Sequence, residues 1–514
     1  MKSYKSHLLS TSFSNQEVNV FRSSAIFPIF LNNDINCKVN FLSYWMIKKK
    51  ITEIGCLYTV RNEIGKKILS RRILINSTKN YEISLKEIIS EQKFIGSIEI
   101  EFFSSKNLVF PFPAVIINYL GKDSNSFVHT CSRIYNNHQD KTENTQMLVP
   151  ETGFDIFPDK VFKPFFSFVN GPEYLKNEKI RLHLINCDGE RLIKKINFKD
   201  IHEYETKFIF FLNSKEKIFF KNQRGTVKIF HNFKSFYPRF LCGNFTNDEK
   251  KVSLTHSYYD LSLKKNDDEK WLNPNKDLFL NPIIIFPFFS KNKLINELSI
   301  YPNFSKLSNL TVKAELIDNH GRKAVEKKLL QITKKFNNIL TLNFNKIFEK
   351  TKIKNNQSYF IRLSLENDKG LPTRFKVGYN LSFSTNKPST NICFNAVIPN
   401  KFILEKKSTF KWCAIINANT SIICLSNINY IRDKIINANI KMSVWSDVEN
   451  KRIVRNIKIL NNGNLYIDFK KDMEIKKFLK TKTGWVTFES DSPFLNGFYF
   501  DVKDQMSVAG DHLF

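Results

Sequence analysis

Apolar and polar residues alternate over short stretches of this chain, as in Ile180, Leu182, Leu184 and again in Val312, Ala314, Leu316. A period of two predicts half-buried β-strands. Each of these runs ends in a turn, Asn186-Cys187-Asp188-Gly189 in one case and Asp318-Asn319-His320-Gly321 in the other. An Asx side chain opens the turn and glycine sits where positive φ is needed, so both read as hairpins. Looser copies occupy residues 54–66 and 440–452, the last with Asn450, which also tolerates a left-handed backbone, in the glycine position. The turn residues Gly65, Gly189, Gly321 and Asn450 are 124, 132 and 129 residues apart, which predicts four copies of one unit.

A second landmark follows 31–37 residues after each turn: Gly96, Gly225 and Gly484 precede alternating strands, with Ser358 in the third copy. Next comes a proline-aromatic segment, Phe110-Pro111-Phe112-Pro113, Tyr237-Pro238-Arg239-Phe240, Leu371-Pro372-Thr373-Arg374-Phe375 and Ser492-Pro493-Phe494. Proline removes a ladder donor and favours an edge or a corner between sheets. The expected fold is all-β, a tandem array of four related immunoglobulin-like β-sandwich modules with few short helices. Their expected spans are 18–137, 147–262, 271–398 and 399–514, parted by polar stretches at 136–146, 263–270 and around Pro399 to Lys401. Tyr81 to Gln92 and Phe344 to Lys352 read as short helical insertions between strands.

Charge changes the picture only partly. The 514 residues carry 79 Lys and Arg against 49 Asp and Glu, a formal +30 that attracts polysaccharide, anionic lipid or nucleic acid. Lysines spread evenly from unit to unit, in a composition rich in Lys, Asn, Ile and Phe that AT-rich coding also produces, and no RNA-recognition or helix-turn-helix signature accompanies them. Nucleic acid is therefore less expected than polysaccharide or another polyanion. The eight cysteines show neither Cys-x-x-Cys spacing nor regular pairing, so they are expected as buried thiols rather than as a disulfide framework. No secretory signal is visible at the N-terminus, and Ile283 to Phe289, broken by Pro287, is far too short to span a bilayer. The default expectation is a soluble, cytoplasmic protein, with signal-independent secretion or surface association left open.

Nucleotide, zinc-protease and nucleophile-elbow motifs are absent, and no cofactor is expected. The recurrent polar feature is a histidine near the end of a unit: Ser126-Phe127-Val128-His129, Ser253-Leu254-Thr255-His256, and Asp511-His512 in the fourth copy, whereas the third has Asn391-Ile392-Cys393. Such an imidazole serves as a base, a metal ligand or a sugar-binding donor, or staples the last strand by bonding a backbone carbonyl. A metal site shared by His129, His256 and His512 requires three units to converge, and none is assigned. The catalytic candidates are His256 with Asp260 or Tyr258. Arg239 and Arg374, flanked by aromatics, are binding candidates, although the commoner role of such residues is a solvated edge. The five tryptophans are expected in the core.

Together these features predict a non-catalytic binding or scaffolding protein that presents β-sandwich surfaces to a carbohydrate or polyanionic partner. The alternative is an enzyme acting on a carbohydrate or cell-envelope precursor, with an inter-module site that uses His256.

Overall fold

A computed structural model describes residues 20–108, 113–130, 133–134, 151–233, 236–237, 239–259, 270–271, 277–290, 294–302, 308–332, 336–354, 357–368, 370–372, 374–399 and 401–514, together with the pair 5–6. The fourth module shows the strand plan in its simplest form. Its strands are Thr409–Ile415, Ser421–Asn427, Ala438–Trp445, Arg452–Ile459, Asn464–Asp468, Gly484–Ser490, Leu495–Lys503 and Ser507–His512. One sheet has the order first, sixth, third, fourth, and the facing sheet the order fifth, second, seventh, eighth. The same plan holds for the strands from Val20 to Val128, from Glu151 to His256 and from Ile283 to Asn395, apart from short strands added at two sheet margins. The chain is thus an all-β tandem array of four immunoglobulin-like β-sandwiches.

Alternation explains the layers. In Leu310–Asp318, Leu310, Val312, Ala314 and Leu316 point inward and are buried, while Thr311 and Lys313 lie half-exposed on the other face. Among the described residues the fourth strand of each module is a sheet edge, and it carries exposed cations: Lys67, Arg71 and Arg72 in the first, Arg191, Lys195 and Lys199 in the second, Lys323 and Lys328 in the third, Arg452 and Lys458 in the fourth. Exposed cations there discourage edge-to-edge pairing with other chains.

The hairpin turn joins the modules. In the first three, the amide of Gly65, Gly189 or Gly321 donates to the carbonyl of Asn62, Asn186 or Asp318. The same Asx side chain accepts from the amide of Lys66, Glu190 or Arg322, and each glycine has φ between 81° and 83°. Each turn then rests on the loop before the fifth strand of the next module. Thr206 N donates to Glu63 O at 2.8 Å, Asn338 Nδ2 to Cys187 O at 3.2 Å, and Asn464 Nδ2 to Asp318 O at 2.8 Å. The fourth turn docks back on the first module: Asn450 N donates to Thr78 O at 2.9 Å, Asn80 N to Ser446 O at 2.7 Å, and Lys79 pairs with Glu449 at 3.0 Å. Four modules therefore close into a ring.

Three junctions are largely apolar. Phe165, Leu241, Phe245 and Leu254 join the first module's core; Leu42, Ile116 and Phe127 join the fourth's; Phe498, Phe500 and Val508 join the third's. The junction of the second and third modules is polar instead. Buried Asp155 accepts from Ser299 Oγ at 2.8 Å and Asn380 Nδ2 at 2.6 Å, with the Arg224 guanidinium at 3.4 Å and Glu297 beyond it. Removing Arg224 would leave the buried Asp155 carboxylate without its cation, whereas Arg224 keeps Glu297 if Asp155 is removed.

Two proline segments enter short two-stranded pairings, Phe236–Tyr237 with Arg133–Ile134 and Leu371–Pro372 with Lys270–Trp271, Ser492 to Phe494 lies in the turn before Leu495–Lys503, and Phe110 to Phe112 lie outside the described residues. The polar stretches 136–146 and 263–269 lie outside the described residues. The helical expectation for Tyr81 to Gln92 is corrected: Asn80–Ser84 is a strand paired with Lys38–Leu42, and a single 3-10 turn, Leu85–Glu87, follows it. Pairing offers that segment more hydrogen bonds than an isolated short helix would. The Phe344 helix shrinks to one turn, Phe344–Ile347, capped by Asn343. Six of the seven described cysteines are buried, with Cys187 half-buried, and burial pushes Cys37 and Cys56 up to about 12. Among the described residues, no helix is long and apolar enough to cross a membrane.

Turn docking makes the glycines unequal. A Cβ on Gly65 or Gly321 would sit 2.1 or 2.2 Å from a carbonyl oxygen of the next module, whereas on Gly189 it would meet only Asn338 Cβ at 3.1 Å. All three replacements by alanine incur the left-handed strain of about 1–2 kcal/mol. Thermal denaturation should show G65A and G321A well below G189A. Equal losses at the three positions would mean that the turns do not bear on their neighbours.

Candidate functional site: the central cleft

The eighth strand of every module lies at the inner margin of the ring, against the eighth strands of the two flanking modules. Small residues let them approach. Ser126 Oγ of the first module donates to Val252 O and accepts from Leu254 N of the second, and Ser253 Oγ donates to Ser389 O of the third. A Cβ on Gly510 in the fourth would lie 3.1 Å from Ile392 of the third. Asn125 Nδ2 of the first module donates to Asp501 Oδ2 of the fourth at 2.7 Å and closes the circuit.

At the ends of these strands is a cleft of about 1020 Å³ lined by residues from all four modules. The histidines expected from the sequence meet here. The His129 ring centroid is 4.8 Å from that of His256 and 5.0 Å from that of His512, so three modules each contribute an imidazole. In the third module, Cys393, Phe394 and Asn395 line the same cleft. His256 Nδ1 bonds the carbonyl of Ser257 at 3.0 Å and His512 Nδ1 that of Leu513 at 3.2 Å. A carbonyl only accepts, so Nδ1 carries the proton and Nε2 the lone pair in both rings. Both bonds go to the carbonyl of the next residue, so they set the ring tautomer without stapling the last strand to the rest of the sandwich. His129 differs, its Nδ1 lying 2.9 Å from Asp511 Oδ2.

Burial sets the protonation of the group. It holds the His129 and His256 imidazoles well below the usual histidine range and His512 at about 4, and it lifts Asp511 to about 7. Desolvation of the charged form is the leading cause each time.

The two arginines of the proline segments also converge. The Arg239 guanidinium lies 4.4 Å from the Tyr258 ring centroid and that of Arg374 lies 4.8 Å from it, with the Lys376 ammonium at 5.6 Å. Arg239 is buried, which corrects the expectation of a solvated edge residue. Its segment turns inward because Tyr258, just beyond the second module's last strand, offers an aromatic face to cations from two modules. Tyr258 itself lines the cleft, with its ring centroid 6.3 Å from that of His256. Asp260 lies outside the described residues.

Other cleft residues have no counterpart in the sequence reading. Lys48, Lys406 and Lys411 contribute cations beside Arg239, and among the described residues no Asp or Glu lines the cleft. Burial and the neighbouring Lys406 charge lower Lys411 to about 8. Tyr44, Phe410, Trp412 and Phe514 form a partly exposed aromatic wall, in which Trp412 stacks on Trp485 at 5.1 Å and meets Phe514 at 4.6 Å. Trp45, Trp445 and Trp485 are core residues, as expected, but Trp412 faces the cleft. One signal was available in the sequence: Phe410 and Trp412 each adjoin Lys411 in the first strand of the fourth module.

No family model matches the chain, and no curated protein matches it. Among solved structures, a tetra-tandem repeat from the extending region of a large adhesion protein aligns at 7% identity over 90% of this chain and 91% of that one, with a TM-score of 0.10. A Salmonella alpha-2-macroglobulin variant aligns at 8% identity over 93% of this chain and 29% of that one, with a TM-score of 0.11. The chain thus spans less than a third of the macroglobulin. Superpositions this loose carry no functional argument.

Tyr258 provides a direct check on the site. Each cation–ring contact is worth about 0.5–2 kcal/mol, so Tyr258→Leu should lower stability in urea by about 1–3 kcal/mol while Tyr258→Phe stays close to wild type. Equal losses in the two variants would assign the effect to the phenol hydroxyl instead of the ring.

Proposed function

We propose that the protein is a non-catalytic binding protein whose central cleft takes an anionic carbohydrate. The observation that carries this reading is the cleft lining, with Lys48, Arg239, Lys406 and Lys411 beside an aromatic wall and no lining carboxylate among the described residues. Aromatic faces stack on the apolar faces of sugar rings, and cations select sulfate, phosphate or carboxylate groups. A cleft of about 1020 Å³ matches a short oligosaccharide in size. Lys48 reaches across to the first wall residue, its ammonium 4.8 Å from the Phe410 ring centroid, so charge and stacking surface are presented together.

The partner therefore belongs at the inner margin of the ring, where the copies have diverged, and not on the repeated outer faces. A nucleic acid would be expected to follow the basic outer strands, which lie on four separate modules. The cleft is built for a compact ligand instead.

Lys411 gives the reading a pH signature. With its ammonium lowered to about 8, the cleft keeps that charge at pH 7 and loses it as pH rises through 8. Calorimetric titration with a sulfated tetrasaccharide should show affinity falling between pH 7 and 9, and Lys411→Met should weaken binding at pH 7 and flatten that fall. Comparable affinity for the unsulfated tetrasaccharide, or an unchanged profile in the variant, would contradict the proposed selectivity.

A further inference from the structure

We propose that His129, His512 and Asp511, with His256 beside them, form a binding site for a divalent transition-metal ion of the zinc and cobalt type at the floor of the cleft. The ligand atoms of His129, Asp511 and His512 all lie within 4.8 Å of one another. His256 adds a third imidazole, its ring 4.8 Å from that of His129 and nearly perpendicular to it at 86°. Two tetrahedral imidazole ligands, with metal–nitrogen bonds of about 2.0–2.1 Å, place their ring centroids roughly 5 Å apart. The His129–His512 separation of 5.0 Å fits that spacing, while His256 packs edge-on against His129 at 4.8 Å beside the group whose ligand atoms cluster.

The hydrogen bonds around the cluster point the same way. Metal-bound histidines usually give their second ring nitrogen to a carbonyl or carboxylate, which sets the tautomer and aims the lone pair. Here His256 bonds Ser257 O, His512 bonds Leu513 O and His129 bonds Asp511, so each ring has such a partner at Nδ1. Imidazole donors favour zinc, cobalt or nickel over magnesium or calcium, and Asp511, whose oxygens hold His129 Nδ1 and the His512 amide, places a negative charge beside the ion. Phe514 packs 3.7 Å from the His129 centroid and 4.7 Å from that of His512, shielding one side, while the other opens on the cleft. Arg239 opposes the ion, since its charge already disfavours a proton on His129. The third module, with Cys393 and Asn395 at this place, contributes no histidine, so the site depends on the ring bringing the first, second and fourth modules together.

Addition of CoCl2 to the chelator-treated full chain tests the site, because imidazole ligation gives visible bands far stronger than those of the hexaaqua ion. One equivalent of Co2+ should produce those bands, and ZnCl2 should abolish them. His129→Ala and His512→Ala should each weaken Co2+ binding by at least about a hundredfold, and Asp511→Asn by about ten- to a hundredfold. Far-UV circular dichroism identifies any variant that fails to fold. The wild-type spectrum alone decides the matter in that case: only hexaaqua-type bands with one equivalent of Co2+ would overturn the proposal. Undiminished binding in folded His129→Ala or His512→Ala protein would do so too.

Discussion

The docking of one hairpin turn on the next module's loop is the contact on which this architecture depends. It recurs four times, and the fourth instance joins residues about 370 positions apart, Asn450 and Glu449 to Thr78 and Lys79. That contact, with Leu42, Ile116 and Phe127 packed into the fourth module's core, joins the two ends of the array. With it, each is held from two sides. The inner strands are then forced into a common centre, where small residues such as Ser126, Ser253 and Gly510 allow close approach.

Closure also explains how repetition and specialisation coexist. The turns and the strand plan are kept in every copy because each must dock on a neighbour. At the cleft ends of the inner strands the modules differ: histidine in three, Cys393 and Asn395 in the third, and the Lys411 and Trp412 strand in the fourth. Junctions vary in the same manner. Apolar side chains fill three of them, while the junction of the second and third relies on buried Asp155 and Arg224, an arrangement that fixes geometry more than it adds stability.

Much of the fold was legible in the sequence. Period-two alternation and the Asn-x-Asp-Gly turn depend on local chemistry, and they predicted strands, hairpins and four copies. The helical reading of Tyr81 to Gln92 failed because strand pairing with Lys38–Leu42 is a tertiary effect. The site was half legible. The terminal histidines and the two proline-segment arginines stood out by position, but their meeting places did not, since a linear pattern does not say which modules touch. Asp511 adjoins His512 and escaped a role because its partner, His129, is 382 residues away. Trp412 passed as a core residue for the same reason: its environment is made by Phe514 and the cleft, beyond its own strand.

Small-angle X-ray scattering on the full chain tests ring closure most directly. A closed, compact arrangement of 514 residues predicts a radius of gyration near 24 Å, roughly that of a single compact domain of this length. Four sandwiches laid end to end, each roughly 35 Å long from its strand lengths, would give a value near or above about 40 Å. A measured value between about 24 and 28 Å with a bell-shaped distance distribution supports the ring. An elongated distribution with the larger radius would contradict it, and with it the shared cleft.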